Sequence, residues 1–161
     1  GYIYGYNTGE GSDRKTDAKP GEMSAMNQPG SEELLYFAGE EFLLPVYFKL
    51  REEVLDMFPD SEVRVQKSQI TFRWPHPYVW IWTLAGHGSR KPGSGPMFVT
   101  FAAPFPIESP LIHTKVEPYP GRWTHHVAVR EPGDITKELM MFIQTSYAFR
   151  NAKKLKNNKE E

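Results

Sequence analysis

Between residues 62 and 130 no apolar run has helical spacing; each either alternates with a period of two or is apolar throughout. Helical spacing appears only on either side of this stretch. Before it, Val46, Leu50, Val54 and Met57 form one stripe, with Lys49, Glu52, Glu53 and Asp56 expected to face water. After it, Ile135, Leu139, Phe142, Ile143, Ser146 and Tyr147 form another. Strands that succeed one another without a helix between them pair antiparallel. The order helix, strands, helix therefore predicts an α+β fold, an antiparallel sheet of about five strands with an N-terminal and a C-terminal helix packed on one face.

Several local signals sharpen this outline. Ser31 followed by Glu32 and Glu33 suits a helix start, and a short turn through Leu34, Leu35 and Phe37 is expected to stop at Gly39. Pro45 fits only the first turn of the longer helix. Val63 and Val65 occupy odd positions, whereas Ile70 and Phe72 occupy even ones. A regular strand cannot change phase, so Gln66-Lys67-Ser68 should hold a turn or a bulge. The run from 78 to 84 is apolar on both faces, as in a central strand, and 97–102 is a further strand. Val116-Glu117-Pro118-Tyr119-Pro120-Gly121 reads as a turn. Trp123, His125, Val127 and Val129 share one side of the last strand, with Arg122, Thr124, His126 and Arg130 on the other. Asp134 after Pro132-Gly133 is the expected cap of the closing helix.

Residues 1–30 contain little that can be buried and read as a disordered or flexible head. Residues 31–151 make the single domain, and the lysine- and asparagine-rich 152–161 reads as a frayed polar tail. The opening on Gly1 rather than Met suggests a processed piece of a longer chain. No cysteine is present, which removes disulfides, thiolate catalysis and cysteine-based zinc sites and suits a cytoplasmic setting. The net charge of −1, with both signs interspersed, offers no broad field for nucleic acid or anionic lipid, and no apolar run is long enough to span a bilayer.

The string Val65-Gln66-Lys67-Ser68-Gln69-Ile70-Thr71-Phe72 resembles the signature of a bacterial family, domain of unknown function 5655. Phe37-Ala38-Gly39 resembles that family's opening. Trp123-Thr124-His125-His126-Val127 is similar to its late aromatic and histidine strand, and Asp134-Ile135 through Tyr147-Ala148 to its closing helix. The order and spacing of these pieces, spread over residues 34–150, carry the resemblance. It implies a cytoplasmic bacterial α+β domain and brings no reaction with it.

The candidate site is a partly polar groove formed by Lys67, Gln69, Trp123 and His125. It rests on the phase break tipping Lys67 towards the ring-rich end of the sheet, beside His125. The first reading is a non-catalytic binding module for a small anion, a peptide or a partner domain. A second is an enzyme with Lys67 and His125 as its acid–base pair. The third is a nucleic-acid contact through the aromatic strand of Tyr78, Trp80 and Trp82 and the basic loop carrying Arg90 and Lys91. Each residue also has a plain structural reading. Lys67 is then an exposed turn lysine, His125 a core histidine tied to a backbone carbonyl, His126 a surface residue, and the aromatic strand core packing. No cofactor or metal is expected: His125 and His126 diverge as strand neighbours, and no HExxH motif occurs. The 86–95 loop lacks the Gly-Lys-Ser/Thr ending and following helix of a phosphate loop.

Overall fold

The computed structural model describes residues 28–86 and 93–160, with side chains up to 152. Residues 1–27 of the expected head, and Arg90 and Lys91 of the basic loop, lie outside the described residues.

Helix α1 (Ser31–Tyr36) begins after Gly30, whose N–H donates to the Glu33 carboxylate at 2.8 Å. The chain then reverses at Gly39, where φ of 85° favours glycine. After a 3₁₀ turn (Glu41–Leu43), helix α2 (Leu44–Met57) carries Pro45 in its first turn, as expected. Val46, Leu50 and Val54 are buried along the anticipated stripe. Tyr47, Phe48 and Arg51 are buried as well, so the covered face is wider than the spacing suggested.

Six strands follow: β1 (Glu62–Val65), β2 (Ile70–Arg73), β3 (Pro77–Thr83), β4 (Met97–Ala103), β5 (Thr114–Tyr119) and β6 (Arg122–Val129). All pairings are antiparallel, in the order β1-β2-β3-β4-β6-β5. The phase break is the turn of the β1–β2 hairpin, closed by the Gln66 N–H donating to the Gln69 carbonyl at 2.8 Å. Val65 faces Ile70 and Val63 faces Phe72 across it, so the change of parity keeps all four on one side of the sheet.

The sixth strand corrects the reading of 116–121 as a turn alone. Pro118 lies within β5, which pairs only with β6 and has a register irregularity between Val116 and Tyr119. A proline with no N–H to donate is tolerated on an edge strand at such an irregularity. The first four strands form a meander, but β5 lies outside β6, so the connection from β4 passes over β6's position.

Ile70, Ile81, Val99 and Val127 make one row across the sheet, and Phe72, Val79, Phe101 and His125 the next. All are buried with residues of α2 and of α3 (Lys137–Glu160), so both helices cover the same face. At about 1.5–3 kcal/mol for each large apolar side chain fully buried, this layer supplies the main stabilisation. Ser146 of α3 donates to the Tyr78 carbonyl at 2.7 Å and accepts from the Ala102 N–H at 3.0 Å, fastening the helix to both central strands.

Two local expectations are corrected. Asp134 does not cap α3; its carboxylate accepts from the N–H groups of Arg130 and Glu131, and Thr136 caps the helix through the Leu139 N–H at 3.1 Å. Tyr78 does not line up with Trp80 and Trp82. It is fully buried, in edge contact with Phe58 and Tyr147, and its hydroxyl meets Ser61.

Candidate ligand cleft on the open face of the sheet

The face turned away from the helices carries a row of side chains across five strands: Thr71, Trp80, Thr100, His126 and Thr114. The neighbouring row holds Trp82 opposite Phe98. Small or polar residues between rings leave a cleft of about 430 Å3 lined by Gln69, Trp80, Trp82, Thr100, Arg122, Thr124 and His126.

Its floor is fixed by a short chain of contacts. The Trp82 indole N–H donates to Thr100 Oγ1 at 2.8 Å, and that oxygen lies 2.7 Å from His126 Nδ1. Trp82 also stacks on Phe98, with centroids 4.5 Å apart, and meets His126 edge-on. Burial, then the charge of His113, holds the His126 imidazole below its usual pKa. Thr100 Oγ1 and His126 Nδ1 share one proton between them, and the other ring nitrogen of His126 is left for a ligand. Among the described residues, no hydrogen bond is made by His126 Nε2.

Arg122 lines the cleft, and Arg150, which is not among the lining residues, approaches Trp80 from α3. The Arg122 guanidinium lies 5.7 Å from the Trp80 ring and 5.7 Å from the Tyr119 ring, and that of Arg150 lies 5.8 Å from Trp80. Arg122 donates to the Tyr119 hydroxyl and Arg150 to the Pro77 carbonyl; neither forms an ion pair with another described residue. Burial, then the charge of Arg122, lowers the Arg150 pKa. No carboxylate is among the described residues lining the cleft. Two guanidiniums on one indole, with no counterion among the described residues, repel each other unless an anion joins them.

The four residues expected to form a groove do not meet. Lys67 is exposed at the tip of the β1–β2 hairpin, and Gln69 turns into the open-face cleft. Trp123 and His125 share the opposite, helix-covered side of β6. Strands β3 and β4 stand between β2 and β6, which alone separates Lys67 and His125 by about 14 Å at ~4.8 Å per strand.

His125 is a core residue. Its ring stacks on Phe101 with centroids 5.1 Å apart, and its Nε2 accepts the Ile107 N–H at 2.9 Å. The backbone partner at Nε2 is an amide. Nδ1 is sealed, with no close hydrogen bond to another described residue. Burial lowers the pKa of this imidazole, the main chain of Phe101 works the other way, and Lys115 and His126 add to the lowering.

Sequence reasoning missed Arg122, Thr124 and His126 as residues of the cleft, and Arg150 beside Trp80. The first three had been placed together on the polar side of β6, a signal that became a site only with β4 as its neighbour. Arg150 carried none, because it reaches Trp80 from the helix layer.

The match to a family follows from the same segments. The model of the family described as Domain of unknown function (DUF5655) matches residues 35–150, and the chain belongs to that family. No curated protein matches the chain, and no solved structure does.

Proposed function

We propose that the chain is a binding module whose open sheet face receives a small anion with a flat, unsaturated body. The carrying observation is the pair of guanidiniums on Trp80, with no carboxylate among the described residues lining the adjacent cleft of about 430 Å3. That volume suits a small molecule. The Trp80 and Trp82 rings supply a stacking surface, the arginines supply charge, and the His126 imidazole and the side chains of Thr124 and Gln69 supply further hydrogen bonds. The acid–base reading is not favoured, because Lys67 and His125 face different solvents: one bulk water, the other the core.

Calorimetric titration with 2-naphthoate, adenosine monophosphate and neutral 2-naphthamide tests this. Both anions should bind, and the amide at least about tenfold more weakly. Losing one charge-assisted contact of about 1.5–3 kcal/mol changes affinity by a factor of ten or more. The double variant R122Q/R150Q should erase the preference for the anions. Equal binding of naphthoate and naphthamide would remove the proposal. Affinity that grows with oligonucleotide length and falls steeply with salt would point to a single-stranded nucleic acid instead.

A further inference from the structure

The open-face cleft has two unlike ends. At Trp80 stand the guanidiniums of Arg122 and Arg150, a side chain that stays charged at every ordinary pH. At the other end stands the His126 imidazole, a group that gains its charge only on acidification. Trp80, Thr100 and His126 lie in one row across β3, β4 and β6. Two strand spacings separate the ends of that row, about 10 Å at ~4.8 Å per strand. The small Thr100 side chain between them leaves the space open along the row.

Thr100 can serve either state of the ring. Its Oγ1 accepts the Trp82 indole N–H at 2.8 Å and lies 2.7 Å from His126 Nδ1. In the charged imidazole both nitrogens donate. Thr100 Oγ1 then accepts from Trp82 and from His126 together, and its own hydroxyl proton turns to a further acceptor. Charging the ring therefore gives the cleft a cationic donor without stranding Thr100. Without a ligand the ring is held neutral by burial and then by the charge of His113, whose N–H donates to the His126 carbonyl. His125 adjoins it in the chain, and Arg122 stands four residues away on the same side of β6. The neighbouring strands turn Thr100, Thr114 and the Trp82 ring towards it, none of them charged. No carboxylate among the described residues lining the cleft offsets these cations.

We propose that the ligand of this cleft is a flat dianion with its charges at opposite ends, one held by the arginines on Trp80 and the other by His126 once its ring has taken up a proton. This rests on the binding-module reading of the same cleft and adds the second charge and its dependence on pH. A bound dianion favours the charged ring and so raises the pKa of His126. Affinity is then greatest below the pKa of the free ring and is lost as pH rises through that of the bound one. A monoanion already placed on the arginines gains far less from acidification.

The test compares 2,6-naphthalenedisulfonate with 2-naphthalenesulfonate, whose charges do not change in this range, by calorimetry of the full chain at about pH 5.5 and about pH 8.5, either side of the ordinary histidine value. The disulfonate should bind at least about tenfold more tightly at the lower pH, one charged contact being worth that factor, and lose most of this advantage at the higher. In nuclear magnetic resonance, the titration midpoint of the His126 ring should rise by about one pH unit or more with the disulfonate, the same tenfold by linkage. H126N should bind both compounds alike at both pH values, whereas H113N should keep the difference. A disulfonate no tighter than the monosulfonate at the lower pH, an advantage equal at both pH values or retained in H126N, or an unmoved His126 midpoint would each overturn the proposal while leaving an arginine-held monoanion in place. If neither sulfonate binds at either pH, the reading beneath it falls as well. The ring titration of the unaltered chain decides the matter even where H126N fails to fold.

Discussion

Glu33 and Arg51 form an ion pair that is almost wholly out of water, with side chains 7% and 6% exposed. Arg51 Nε donates to Glu33 Oε2 at 2.6 Å, the buried Tyr47 hydroxyl donates to the same oxygen, and Gly30 closes the other side. The pair joins α1 to α2. Removing one partner strands the other charge, so Glu33→Ala should cost about 3–5 kcal/mol in urea unfolding. A loss under 1 kcal/mol would show that water reaches Arg51. The histidines and tyrosines set a pH window. His125 and His126 have lowered pKa values in the fold, so below the ordinary value of about 6.5 the unfolded chain binds more protons. Their contribution is complete above that pH and is lost as pH falls. Tyr47 is raised by burial, then by Glu33, and Tyr78 is pushed up to about 12, chiefly by burial. Their contribution is complete below about 10 and lost above it. Chemical denaturation across pH should therefore show a plateau between these limits. Rising stability on acidification from pH 7 to 5.5 would contradict the assignment.

At the scale of elements, one tyrosine ties three segments together. The Tyr36 hydroxyl donates to the Ser68 carbonyl in the β1–β2 turn at 2.8 Å and accepts the Thr83 N–H at 3.3 Å. Gly86 lies against it: a Cβ there would sit 2.4 Å from the Tyr36 hydroxyl. Gly86→Ala should destabilise the chain by about 1–3 kcal/mol, the usual cost of forcing an extra carbon into packed surroundings. Gly95→Ala, with open space around it, is the control and should be neutral. A neutral Gly86→Ala would show that Tyr36 yields freely. The hairpin also shows what the sequence could convey. The parity change at Val65 and Ile70 marked the turn correctly, because side-chain alternation is a local property. It could not say which strands flank the turn. Nor could it disclose β5, since Pro118 masked an edge strand whose pairing is decided by β6.

On the scale of the whole molecule, the apolar rows and both helices lie on one side of the sheet, leaving Trp80, Thr100 and His126 on the other. The separation of His125 from His126 was legible as strand alternation. That His126 meets Thr100 was not, because strand order is set by long-range packing. The net charge of −1 likewise conceals a cleft lined by Arg122 and by no acid among the described residues, with Arg150 beside Trp80. The central claim is that this face, rather than the hairpin tip or the core histidine, receives the ligand. The most direct check follows the indole N–H resonances of the four tryptophans during titration with 2-naphthoate. Trp80 and Trp82 should move saturably, while Trp74 and Trp123 stay in place. Saturable binding that leaves Trp80 and Trp82 unmoved would contradict the claim.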